Sequence, residues 1–168
     1  MTRVTSAALG ILAALCLATS ASAQSLKQQL TGSWQLVSYD ITPPNGTKQP
    51  FYGAGANSKG MLVLDSTGRY ASVNGRPDRP KFKSASRLQL EATPEELKAA
   101  ILGFGANTGT WSVNEADKTL IRKFEIALIP NNDGAERKDT VTLTGDELRL
   151  VQTNPAGAKV ESVYRRIK

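Results

Sequence analysis

The sequence predicts an all-β protein, an eight-stranded antiparallel barrel with one short α-helix behind an N-terminal signal peptide. Three observations predict it. Eight short runs of strand composition are separated by turn residues. One capping box announces one helix. Eight hairpin-connected strands protect their edges best by closing on themselves, which leaves an interior filled by side chains or wide enough for one small ligand. A two-sheet sandwich is the competing arrangement.

Residues 1–23 are set aside as a cleavable export signal. Met1-Thr2-Arg3 is a short positive start, Ala7 to Ala18 is apolar, and Ala21-Ser22-Ala23 is a small-residue cleavage pattern. The apolar run is well short of the roughly 20 residues that span a bilayer as a helix, so no stable membrane anchor is expected. Cys16 follows Leu15, where lipoprotein processing wants a small side chain, so a lipid anchor is not expected either. Cleavage before Gln24 removes 23 of 168 residues and one of 21 basic side chains, leaving 145 residues at a net charge of +5. The expected domains are therefore the signal at 1–23 and one barrel at 24–168, in the periplasm or secreted.

The elements follow in order. Ser33 to Asp40 is the first strand, with Trp34 and Leu36 on one face and Val37 and Tyr39 on the other, and Pro43 to Gly46 ends it. Met61 to Leu64 and Arg69 to Val73 form a hairpin about Asp65 to Gly68. Arg76 to Arg87 carries five positive charges, one negative and two prolines, and reads as a basic loop. In "TPEELKAAILGFG", Thr93 is the N-cap, Pro94 the first helical residue and Glu96 the returning partner, with Gly103 or Gly105 as the stop. Leu97, Ala100 and Ile101 share a face of that helix. Thr108 to Val113 pairs with Thr119 to Ile129, Asp139 to Leu143 pairs with Glu147 to Thr153, and Val160 to Ile167 closes the set.

Absences narrow the chemistry. The chain has no histidine, and its one cysteine lies in the signal. Serine–histidine, cysteine–histidine and zinc chemistry on nitrogen or sulfur are excluded for the mature chain. No closely spaced acids suggest a calcium loop, and no glycine-rich phosphate loop is present, so no cofactor or metal is expected. Aromatic residues are sparse and the basic ones scattered, so nucleic acid is not an expected partner.

The two tryptophans stand in similar settings, Gly32-Ser33-Trp34 and Gly109-Thr110-Trp111, but the residues after them do not repeat. Gly32-Ser33-Trp34 resembles the opening of a lipocalin. That resemblance implies that Trp34 plugs the closed barrel end, with Arg165 or Arg166 of the last strand over its ring. The wider pattern resembles the lipocalin-like domain family of bacteria and fungi. It runs through Gly32 to Ser38, Tyr52 to Gly60, Thr67-Gly68-Arg69, Gly109 to Val113, Pro130-Asn131 with Arg137, and Gly145 to Leu150, spanning about Leu30 to Ile167. Two departures stand out. The family's histidines before Pro-Asn are replaced by Arg122-Lys123, and its Asp-Gly-Arg turn reads Ser-Thr-Gly-Arg. The resemblance implies a fold and a cavity rather than a reaction.

The most mixed strand is "TLIRKFEIALIP". With Leu120, Arg122 and Phe124 inward, Arg122 becomes a cavity cation suited to an acidic head group. With Lys123 and Glu125 inward, those two become candidates for acid–base work. The plain alternative puts all the charged members on the solvated face. Phe51 and Tyr52 form a candidate rim, and Tyr70, Phe104 and Phe124 are candidate contacts or core.

The expected function is a carrier of a small hydrophobic or amphipathic molecule that is mainly apolar, either neutral or anionic. The second reading is a cofactor-free isomerase or cyclase using cavity carboxylate and tyrosine groups such as Glu125 and Tyr70. The third is a protein-binding inhibitor with a filled barrel and a working basic loop.

Overall fold

The computed structural model describes residues 24–83 and 91–168. The predicted signal at 1–23, and Arg87 at the end of the basic loop, lie outside the described residues. A short helix α1 (Leu26–Leu30) precedes strand β1 (Gly32–Thr42), a two-residue strand β2 (Gln49–Pro50), β3 (Lys59–Leu64) and β4 (Arg69–Gly75). Helix α2 (Pro94–Leu102), β5 (Phe104–Asn114) and β6 (Thr119–Ala127) follow. A 3₁₀ turn at Pro130–Asn132 then leads to β7 (Glu136–Thr144), β8 (Glu147–Thr153) and β9 (Lys159–Arg166).

Each of β1 and β3 to β9 pairs antiparallel with the next, and β9 returns to pair with β1. That closes an eight-stranded barrel, with β2 as an extra edge piece beside Asp40 and Ile41. The predicted sandwich alternative falls. Thr93 and Glu96 form the predicted capping box, and Gly103 ends α2. The hairpin between β3 and β4 turns at Gly68, whose φ of +91° suits glycine, while the Asp65 carboxylate accepts from the Thr67 amide at 2.6 Å.

Two bulges rewrite the alternation. In β1, Leu36 pairs with Tyr164 and Ser38 with its neighbour Val163, so Val37 is extra. Val37 faces solvent, and past the bulge Tyr39 turns to the same inner face as Trp34 and Leu36. The sequence placed Tyr39 on the opposite face. In β6, Phe124 pairs with Gly109 and Ile126 with Thr108, so Glu125 is extra. Inward placement passes from Phe124 to Ala127, and Ile126 is left exposed.

The lower half of the barrel is filled by Leu30, Trp34, Leu36, Leu62, Leu64, Trp111, Leu120, Val141, Leu148 and Leu150, all buried. Helix α1 lies over this closed end. The Glu115 carboxylate accepts from the Leu26 and Lys27 amides at 2.9 and 3.0 Å. At the helix's other end the Arg166 guanidinium donates to the Gln29 and Thr31 carbonyls. Five residues make a helix too short to persist alone, which is why composition does not announce it. It stands because both its ends are held by distant side chains. Among the described residues no helix is long and apolar enough to cross a membrane.

Candidate functional site

The upper half of the barrel is hollow. A cavity of about 390 Å³ opens at the end where β1, β5 and β6 meet the long loops. Its size is at the lower end of the range for small-molecule sites, roughly 300–1,000 Å³. Aromatic rings build one wall. Tyr39 stacks on Phe51 with centroids 4.3 Å apart and planes at 26°, and Tyr52 meets Phe51 edge-on at 5.3 Å. The Tyr52 hydroxyl donates to Asn74 Oδ1, and the Arg76 guanidinium donates to the Tyr52 carbonyl at 3.3 Å, which tie the rim to β4 and its loop. Opposite stand Phe104, beneath the Arg79 guanidinium at 4.6 Å, and Ile101, Leu102, Leu128 and Ile129. Burial pushes the Tyr52 hydroxyl above its ordinary value, so it acts as a donor at neutral pH.

The floor is polar. Arg122 is buried and donates from Nη2 to Asp139 Oδ2 at 2.6 Å. Arg137, partly exposed to the cavity, donates from Nε to Asp139 Oδ1 at 3.1 Å. Asp139 is wholly buried behind them. Burial alone would raise its carboxyl, but the two guanidinium groups outweigh that and hold it below the ordinary carboxylate value. Burial likewise opposes the charge on Arg122, and Asp139 more than restores it. Two buried donors go unpaired here, Arg122 Nε–H and the Tyr70 hydroxyl. Burial pushes Tyr70 up to about 12, so it stays protonated.

The predicted residues divide sharply. Phe51, Tyr52, Phe104, Arg122 and Phe124 line the cavity. Tyr70 sits in the packed core, 6.3 Å from Phe124 and with the Arg122 guanidinium 5.7 Å from its ring. Glu125 is a correction. It alternates outward beside inward-facing Phe124 and forms a bidentate pair with Arg69 across the outer surface. Solvated placement holds for Lys123 and Glu125 and fails for Arg122. At the closed end, Trp34 is fully buried and Arg166 covers its ring, whereas Arg165 points to solvent on the barrel's exterior. Gly32 lies beside Arg166 at a φ of +137°, with room for a Cβ only 3.1 Å from Arg166 Nη1. The described part of the basic loop pairs Arg76 with Asp78 and anchors the Lys83 amide to Glu96.

Sequence reasoning missed Tyr39, Asp139 and the cavity role of Arg137. The bulge in β1 hid the first. The other two share a strand in which Arg137, Asp139 and Val141 alternate inward, a pattern masked in the sequence by the intervening Lys138 and Thr140.

The fold and its parts can be set beside known proteins. No curated protein matches the chain. A de novo designed fluorescence-activating β-barrel is similar at 11% identity over 86% of this chain and 99% of that one, with a TM-score of 0.42. A redesigned β-barrel is similar at 14% identity over 86% and 100%, with a TM-score of 0.43. The sequence model of the lipocalin-like domain matches residues 31–165, from the residue before Gly32 to Arg165 on the strand that closes the barrel. A Gly-x-Trp strand plugged at one end, a hollow at the other and this match agree, and the chain belongs to the lipocalin-like domain family.

Proposed function

We propose that the protein is an exported carrier, periplasmic or secreted, that holds a small, mainly apolar molecule bearing an anionic group. The observation that carries this reading is the cavity itself, in which aromatic and aliphatic side chains share the walls with Ser, Asn and Gln above a floor where Arg122 and Arg137 outnumber the one carboxylate of Asp139. The N-terminal export pattern supports the location. The isomerase or cyclase reading loses the carboxylate it relied on, because Glu125 lies outside the barrel. The inhibitor reading called for a filled barrel, and the upper half is hollow.

Native mass spectrometry of protein taken from its own exported fraction, followed by denaturing extraction, tests the proposal. A small acidic organic molecule should co-purify in one copy per chain and be lost on denaturation. A clean apo mass from exported protein, with no binding of apolar anions added back, overturns the carrier reading. Recovery of the full 168-residue mass from the cell interior overturns the export part alone.

A further inference from the structure

The cavity floor carries an unbalanced charge. Among the described residues that line the cavity, the charged ones are Arg122 and Arg137, and no acidic side chain joins them. Asp139 stands behind both and gives one carboxylate oxygen to each guanidinium. The cluster thus holds two positive charges and one negative. Arg122 is almost wholly buried, yet its Nε–H has no partner. A buried charged donor without a partner is costly, and although this Nε–H is itself closed off from solvent, its side chain lines the bottom of a shaft of mixed polar and aromatic lining that opens to solvent.

We infer that the floor is a receptor for one negative charge, presented as a carboxylate at the end of an apolar body, and that Asp139 sets the amount of charge accepted. The inference rests on the carrier reading above. The planar guanidinium fork matches the planar carboxylate and makes charge-assisted bonds to it. One monoanion brings the floor to neutrality. A neutral alcohol leaves the excess positive charge buried. A phosphate monoester carries about −1.5 to −2 charges at neutral pH, so it overshoots and places surplus negative charge opposite Asp139. Asp139 touches no ligand in this arrangement; it acts by holding both arginines and by cancelling one of their charges.

Displacement of 8-anilinonaphthalene-1-sulfonate from the exported protein by four matched decyl probes tests this at neutral pH. Decanoate should displace the dye about tenfold or more better than 1-decanol or decyl phosphate, as expected for one charge-assisted bond made or lost. Decanesulfonate, with the charge but not the planar fork, should fall between. Arg137→Met should bring decanoate down to the level of decanol and leave decanol unchanged. Asp139→Asn should lift decyl phosphate above decanoate, a reversal that mere loss of structure does not produce.

Equal displacement by decanoate and decanol overturns the charge receptor and leaves the carrier reading standing. Decanesulfonate matching decanoate overturns the carboxylate assignment. Decyl phosphate matching decanoate in the unaltered protein overturns the role of Asp139. If Asp139→Asn does not fold, Arg137→Met decides alone, and an undiminished decanoate advantage there overturns the inference. Failure of the dye and all four probes to bind removes the carrier reading itself.

Discussion

The guanidinium carbon of Arg166 lies 4.0 Å from the centre of the Trp34 ring, at the barrel end opposite the cavity. The same guanidinium donates to the carbonyls of Gln29 and Thr31, and the Trp34 indole N–H donates to the Leu30 carbonyl at 2.9 Å. One side chain therefore seals the barrel end, covers its plug and holds the exposed carbonyls of α1.

Arg166→Ala should lower stability by about 2–3 kcal/mol, the combined loss of a cation–π contact and charge-assisted bonds to backbone. Arg166→Lys keeps the charge but not the fork, and should recover part of that. Urea unfolding read by tryptophan fluorescence checks both. An Arg166→Ala protein as stable as the parent would mean that α1 contributes no closure. Arg165→Ala, on the outer face, serves as the control and should be near neutral.

Gly109 faces the β6 bulge so closely that a Cβ there would lie 2.0 Å from the Lys123 carbonyl oxygen. Gly109→Ala should cost about 2 kcal/mol or more, because the obstacle is backbone and two paired strands must part to admit a methyl group. Gly134 has a φ of +77° but open space around it, so Gly134→Ala should cost only the left-handed backbone term, about 1 kcal/mol. Thermal unfolding followed by circular dichroism ranks the two, and the reverse ranking would contradict the bulge.

Acid should destabilise the protein in part through Asp139. Its folded value is depressed, so its contribution is complete above the ordinary carboxylate value of about 4 and disappears as pH falls through the lower folded value. Melting temperatures should hold steady from neutral pH to about 5 and fall below about 4. Asp139→Asn should lose about 3 kcal/mol at neutral pH, having broken a buried ion pair, and should show a shallower acid limb. The limb should not vanish, because Asp78, Glu96 and Glu161 are also held low by their partners. An acid limb as steep as the parent's would remove Asp139 from the account.

Glu125→Gln should change neither melting temperature nor dye binding measurably, since an exposed pair with Arg69 contributes little in water and salt. Arg122→Gln is the informative contrast on the same strand and should weaken displacement of the dye by decanoate. Equal loss of binding in both variants would place Glu125 in the ligand path after all.

Much of the barrel was legible in the sequence because its local rules are strong. The Thr93–Glu96 capping box, the glycine turns at Gly68 and Gly145 and the period-two runs each depend on neighbours a few residues away. The Gly-x-Trp opening located the closed end through its resemblance to the first strand of a lipocalin. The order of the strands followed from hairpin connections. What the sequence did not carry was the inner face of a strand beyond a bulge. Alternation predicts that Tyr39 opposes Trp34 and that Ile126 shares the inner face of Phe124, and both fail; whether a strand inserts an extra residue is decided by the ladders of both neighbours, which come from distant segments.

The sequence by itself determined an export pattern, a chain with no histidine and its one cysteine inside that pattern, and an all-β topology, and its resemblance to the lipocalin opening implied a tryptophan plug. Only the tertiary structure decided which charged residues are ligand-facing. Arg122 and Glu125 are three positions apart on one strand, yet one is buried against Asp139 and the other paired in solvent with Arg69. Their fates differ because burial of a charge depends on partners supplied by other strands, and those partners meet only when the barrel closes.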